Sequence, residues 1–306
     1  MNRNPENDIL KRVSRSFYLS LRLLPGPMRQ AASLAYLLAR TSDTLADTAG
    51  VPSEDRLLCL NEFELAVAGD RKTSRWQSRL LNAVEDAGER HLLEISNDLL
   101  AWLGRLPAGE AELVREVVGI IISGQKLDLG RFARAERENP AALEDDAALE
   151  DYTWRVAGCV GAFWTKLGFF TLGDGFSKIP ATVLIEQGIT YGKGLQLVNI
   201  LRDLPADLSM GRCYLPVADP LDVISLLEAH RRWLERSAGW INEGFSYAEA
   251  LRSRRLRAAT VLPAMIARET LGRMQDADWQ TLQTRVKVPR IRVYLALARA
   301  FTGFYR

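Results

Sequence analysis

Residues 195–207, LQLVNILRDLPAD, are apolar on every side but one. On a helix, Gln196, Asn199, Asp203 and Asp207 stand at i, i+3, i+7 and i+11 and share a strip of roughly 80°. Leu195, Leu197, Val198, Ile200, Leu201, Leu204 and Ala206 occupy the rest. A helix apolar nearly all round is buried, so its polar strip is expected to face an internal cavity. Carboxylates removed from water need partners, and Arg202 can neutralise only one of two. Pro205, between the acids, removes a backbone hydrogen bond and either bends the helix or marks its end.

The rest of the chain fits such a helix. Leu, Ala, Arg and Glu recur at spacings of three and four, and strand-like alternation is nearly absent. Prolines 25, 27, 52, 107, 140, 180, 216, 220, 263 and 289 fall where helices would start or stop, giving about ten helices. In RAERENPAALEDDAALED (134–151), a helix ends, the chain turns at Asn139-Pro140, and Glu144, Asp145 and Asp146 open the next helix. One all-α domain over residues 1–306 is expected, with residues 1–8 a disordered tail.

A second acidic strip lies near the start. With Tyr36 at zero on a helical wheel, Arg40, Asp43 and Asp47 fall within roughly 40° of it. Leu34, Leu38 and Leu45 lie opposite. A solvent-facing stripe would give the same pattern.

Composition removes other chemistries. A net charge of +2 is too small for a general nucleic-acid binder. Residues 231–306 carry 15 Arg or Lys against 6 Asp or Glu, a bias suited to an acidic substrate, an anionic membrane surface or a solvated face. Cys59, Cys159 and Cys213 form no metal pattern, and His91 and His230 are too few for a histidine site. No apolar leader and no run of 18 apolar residues is present, so a cytoplasmic protein with at most peripheral membrane contact is expected. Oxygen ligands at i, i+4 suit Mg²⁺, which bridges carboxylates to substrate phosphates. Two DxxxD pairs can grip a diphosphate through such ions and promote its departure, while apolar walls keep water from the resulting carbocation.

Four stretches carry a resemblance: SRSFYLSLRLLP from Ser14, YLLARTSDTLADT from Tyr36, DYTWRVAGCVGAFW from Asp151, and QLVNILRDLPADLSMGRCYLP from Gln196. Together they resemble the squalene/phytoene synthase family of head-to-head prenyl synthases over about residues 8–300. The resemblance implies an isoprenoid-synthase helical bundle around a central hydrophobic cavity. It implies two or three Mg²⁺ ions, with Asp43, Asp47, Asp203 and Asp207 as ligands and Asn199 supporting them. Ser14, Arg15, Ser16, Tyr36, Arg40, Gln196, Asn199, Arg202 and Arg212 match diphosphate-contacting positions. Tyr152 matches a tyrosine that assists proton transfer or stabilises a cation, though a core aromatic would look alike. Ala157, Gly158 and Gly161 suit a cavity wall or close helix packing. Thr153 and Thr48 depart from residues common in relatives without touching the metal ligands.

The implied substrate is farnesyl diphosphate, condensed through presqualene diphosphate to squalene with NADPH. RVKVPRIRV (285–293) resembles a basic stretch near the reductant in relatives, so Lys287 and Arg290 are candidates for the NADPH phosphates, with a solvated basic turn as the alternative. Dehydrosqualene or phytoene synthesis without reductant is the competing activity. A non-catalytic assembly factor of the same fold is the competing class. A monomer or weak dimer is expected. VYLALARAF (293–301) is apolar enough to touch lipid or to pack as a terminal helix.

Overall fold

The computed structural model describes residues 21–70, 79–284 and 286–303. The fold is all-α, and the chain divides into two compact units, one drawn from the stretch up to Gly130 together with Lys166–Gly173, the other from Arg131–Thr165 and the stretch from Asp174 onward.

In the first unit, α1 (Gly26–Asp47) starts directly after Pro25, whose fixed φ suits a helix entry. It packs against α2 (Ser53–Ala68), α3 (Ala87–Glu94) and α4 (Ser96–Leu103). Leu34, Leu37, Leu38, Leu45 and Phe63 are completely buried in this core, each such burial contributing about 1.5–3 kcal/mol. Gly69 ends α2 at φ 94°, a conformation closed to most side chains. The long α5 (Ala108–Arg131) is tied to α2 by Lys126 Nζ on Glu64, 2.5 Å, and by Arg115 Nε on the carbonyl of Val67, 3.1 Å.

The second unit is built on α8 (Ala181–Ser209), against which α9 (Val223–Ala250), α10 (Arg254–Met274) and α11 (Trp279–Gln283) pack. α6 (Asp146–Thr153) is capped by Asp145, which accepts from Ala148 N at 2.8 Å, as the acidic helix start predicts. A π-helical turn, Trp154–Gly158, links it to α7 (Cys159–Leu172). Glycine lets the π-turn and the start of α7 meet α8 backbone to backbone: a Cβ on Gly161 would lie 1.9 Å from Gly188 O, and one on Gly192 2.3 Å from Ala157 O. Close helix packing is thus one reason for the small residues of this stretch. α12 (Arg290–Thr302) packs on α10.

One expectation needs correction. Pro263 lies inside α10 rather than at a helix boundary, while Pro205 lies inside α8, so it does not mark that helix's end. An interior proline costs ~3 kcal/mol, and α10 offsets it by burying twelve side chains. The helical stretch Asp146–Gly175 holds an 18-residue window of mean hydropathy 1.3, a length and composition that the core helix of a soluble protein shares, so it does not overturn the expectation of no spanning helix. Lys166 within it pairs with Glu116 at 2.5 Å.

Candidate functional site

In α1, every residue from Ala31 to Ala46 is buried except Tyr36, Ala39, Arg40 and Asp43. The strip read from the wheel therefore exists, and Asp47, exposed as the last residue of the helix, extends it. Arg40 Nη1 lies 3.6 Å from Asp43 Oδ2, and its Nη2 bonds Glu89 on α3. Gln125 of α5 donates from Nε2 to Asp43 Oδ1 at 2.5 Å. Burial pushes the Asp43 carboxyl up to about 6, Arg40 opposes this, Asp47 adds to it, and Gln125 opposes it. The side chain still keeps 43 % of its surface open, so it is a crowded carboxylate that water reaches. Tyr36 is also raised, chiefly by burial, with Arg40 lowering and Asp43 raising it.

Glu89 and Gln125 were not found by sequence reading. Glu89 gives no signal, being one acid in a short polar helix. Gln125 does give one. It continues the buried stripe of Val114, Val117, Val118, Ile121 and Ile122 at helical spacing, and it is only 8 % exposed. A polar residue in an apolar phase needs a partner, and Asp43 is that partner.

In α8, Leu197, Val198, Ile200, Leu201 and Leu204 are buried, whereas Gln196, Arg202, Asp203 and Asp207 are half-buried and Asn199 is exposed. Arg202 pairs with its neighbour Asp203, its Nε donating to Oδ1 at 3.0 Å and its Nη2 to Oδ2. Asn199 Nδ2 lies 3.5 Å from Gln196 Oε1. Pro205 leaves the carbonyl of Leu201 without its usual donor four residues on, and His230 of α9 fills the gap.

Arg212 is held by a small device. Gly211, at φ 79°, turns the chain after α8, and a Cβ there would meet Glu136 N at 2.6 Å. The turn sets β2 (Arg212–Cys213) parallel to β1 (Ala141–Ala142). Tyr152 is buried and stacks on Tyr214 at 4.6 Å between centroids, and Phe132 meets Tyr214 edge-on at 5.3 Å. Two residues before it, Glu150 accepts from Lys193 Nζ at 2.6 Å and from Arg236. Burial would raise the Glu150 carboxyl, but the two cations outweigh it and hold it below the usual range.

Lys287 and Arg290 are exposed on either side of Pro289 at the start of α12. Ser14, Arg15 and Ser16, like the expected tail at 1–8, lie outside the described residues. Among the described residues, no three His, Cys, Asp or Glu side chains gather into one ligand cluster. The donors nonetheless suit Mg²⁺. All are oxygen, the atoms that hard cations prefer, and the Asp43 side chain keeps 43 % of its surface open.

A model of the squalene/phytoene synthase family matches residues 10–292. The presqualene diphosphate synthase of Zymomonas mobilis is 26% identical over 299 residues, covering 94% of this chain and 89% of its own. The bifunctional lycopene cyclase/phytoene synthase of Phaeosphaeria nodorum is 31% identical over 210 residues, 68% of this chain, and the match spans only 33% of that protein. Among solved structures, the complex of TcSQS with the ligand E5700 superposes with a TM-score of 0.78 at 22% identity, over 97% of this chain and 85% of that one. That last likeness concerns the fold alone.

Proposed function

Because the chain belongs to the squalene/phytoene synthase family of head-to-head prenyltransferases, we propose that it condenses two farnesyl diphosphates to presqualene diphosphate and, with NADPH, converts this to squalene. One observation carries the reading. α1 and α8 each present two aspartates four residues apart with an arginine beside the first, Arg40 at Asp43 and Arg202 at Asp203. Paired carboxylates at this spacing supply the oxygen ligands that a divalent cation prefers.

In this reading, Asp43, Asp47, Asp203 and Asp207, with Asn199, hold Mg²⁺, which when bound withdraws charge from the departing diphosphate. Arg40, Arg202 and Arg212, with Ser14, Arg15, Ser16, Tyr36 and Gln196, bind and orient the diphosphates. Tyr152 holds its hydroxyl for proton transfer or cation stabilisation. Lys287 and Arg290 bind the phosphates of NADPH. Apolar side chains of the helices exclude water from the cation.

A second reading has specific support. The Zymomonas relative, aligned over nearly its whole length, is a presqualene diphosphate synthase, so this chain would stop at that intermediate. Dehydrosqualene or phytoene formation without reductant is the third, the latter supported by the Phaeosphaeria relative.

Incubation with Mg²⁺ and either farnesyl or geranylgeranyl diphosphate, with and without NADPH, separates the readings by product mass. Squalene formed only with NADPH supports the first. Presqualene diphosphate with or without NADPH assigns the second. Dehydrosqualene or phytoene in the absence of NADPH assigns the third, and no condensation product from either substrate overturns all three. Asp203→Asn should nearly abolish turnover at unchanged helical content; normal Mg²⁺-dependent turnover would remove the metal assignment.

A further inference from the structure

α12 carries two apolar stripes where packing uses one. Val293, Ala296 and Leu297 are half-buried and Ala300 is buried, forming the side against α10. On the other side, Ile291, Tyr294 and Leu295 keep 65, 62 and 48 % of their surface exposed. Ala298 and Thr302 are exposed as well. Positions 291, 294, 295, 298 and 302 follow helical spacing and form one continuous face. Continuous exposed apolar faces mark contact surfaces.

The surroundings are basic. From Arg254 to Gly303 the sequence has ten Lys or Arg against three Asp or Glu. Arg290, Arg292 and Arg299 are exposed on α12 itself, and Arg254 and Arg255 at the start of α10. Of the three acids, Glu269 is engaged by Arg273 at 3.0 Å and Arg292 at 4.0 Å, and Asp278 caps α11 through Thr281 N at 2.8 Å. Asp276 is the third.

At the C-terminal end of the exposed face a cavity of about 570 Å³ opens. Among the described residues, Lys178, Arg254 and Arg257 line it against one acid, Glu249, together with residues 300–302 of α12 and Gly303. Thr302 belongs to both the face and the cavity. Arg254 Nε is held by Phe301 O at 2.8 Å and Lys178 Nζ by Glu249 O at 3.0 Å. Each head group has further donors beyond the one spent, so the cavity can offer several N–H groups to a phosphate.

We propose that this face of α12 lies on an anionic membrane surface, with Ile291, Tyr294 and Leu295 entering the acyl boundary and the Lys178–Arg254–Arg257 cavity receiving a phospholipid headgroup phosphate. An apolar strip flanked by arginines, with a tyrosine at the boundary, is the arrangement that binds interfaces rich in anionic lipid. A second copy fits poorly. Stacking the face on itself brings Arg290, Arg292 and Arg299 of two copies together, and three large side chains fall well short of the ~800 Å² per partner of a stable interface. The surface is argued from the second unit alone, and none of the side chains it inserts or aims at the phosphate is one proposed above to bind substrate; Arg290, proposed to bind NADPH, only borders it.

The test is co-sedimentation of the full chain with vesicles of phosphatidylcholine, alone or with about a third phosphatidylglycerol, without prenyl substrate. Its failure is therefore separable from failure of the proposed chemistry. The chain should bind the anionic vesicles ~10-fold more tightly than neutral ones and lose that margin in high salt. The triple variant Ile291→Ser, Tyr294→Ser, Leu295→Ser and the pair Arg254→Gln, Arg257→Gln should each lose ~10-fold. Equal binding to both vesicles, or undiminished binding by the triple variant, overturns the proposal. So does a native dimer that the triple variant makes monomeric, which gives the face to a second copy. Should the triple variant fail to fold, Leu295→Cys and Glu54→Cys carrying a polarity-sensitive dye replace it. The native cysteines are buried, so labelling is selective. The dye at 295 should shift to the blue on anionic vesicles, with the dye at 54 reporting any shift common to the whole chain; no shift at 295 overturns the proposal.

Discussion

His230 donates from Nε2 to the carbonyl oxygen of Leu201 at 3.2 Å, the carbonyl that Pro205 deprives of its intrahelical donor. A proline lacks the N–H that would bond four residues back, and a buried orphan carbonyl is costly. The backbone bond that Pro205 removes between Asp203 and Asp207 is thus replaced from a neighbouring helix. The histidine is 1 % exposed, and burial, with Arg231 nearby, holds it below its ordinary range despite the Leu201 bond.

His230→Ala should therefore cost about 1–3 kcal/mol from the orphaned carbonyl alone, with further loss from the cavity left behind, measured by urea unfolding. The pH dependence is separate. The folded state refuses a proton that the unfolded chain accepts. Native stability from this residue is full above the ordinary histidine range, near 6.5, and falls as pH drops below it. His230→Gln should flatten that decline.

Asp43→Asn should uncouple stability from turnover. The folded carboxyl titrates near 6 rather than 3.8, so the folded state holds this proton more tightly than the unfolded one. The stabilisation is complete below 3.8 and is lost as pH rises through 6. The variant, carrying no charge, should exceed the native chain at pH 8 by about 1 kcal/mol after solvent screening. Melting without metal at pH 5 and pH 8 checks this: the gap should narrow at the lower pH while turnover is lost at both.

Gln125→Met removes the donor to Asp43 while roughly keeping volume. Gln125 Oε1 is buried with no partner among the described residues, so the apolar replacement also removes an unsatisfied atom. Stability should change by less than about 1.5 kcal/mol. The Mg²⁺ concentration for half-maximal turnover should rise several-fold, with turnover recovering at saturating metal. Unchanged Mg²⁺ dependence would confine Gln125 to packing.

Gly161→Ala should destabilise by about 3 kcal/mol or prevent folding, since the new methyl would lie 1.9 Å from a backbone oxygen. Gly119→Ala in α5 is the control. Nothing lies within 4 Å of its Cβ position, and alanine there should stabilise by up to about 1 kcal/mol. Thermal melts of the two variants should move in opposite directions.

The helices and the two aspartate strips were legible because both rest on local periodicity. Tyr36, Arg40 and Asp43 come through as the open face of a buried helix, and Asp203 and Asp207 as the polar strip of another. Partners at long sequence separation were not legible. Nothing local in Glu89 announces Arg40, and nothing near His230 announces a proline twenty-five residues earlier. An interior proline misleads for a related reason. Residue 263 carries the sequence signature of a helix boundary, but tertiary packing decides whether the helix stops. Lys287 and Arg290 show the limit of motif reading, since exposure on either side of Pro289 agrees equally with a nucleotide contact and with a solvated turn.

Side chains commonly absorb small errors in helix placement by changing rotamer. Where Gly161 meets Gly188 and Gly192 meets Ala157, no rotamer exists to change. Sliding either helix along its axis drives main chain into main chain, so this crossing works as a fixed datum for α8. Asp203 and Asp207 sit about three to five turns further along that same helix, and their positions are set by hydrogen atoms where any other residue would have left slack.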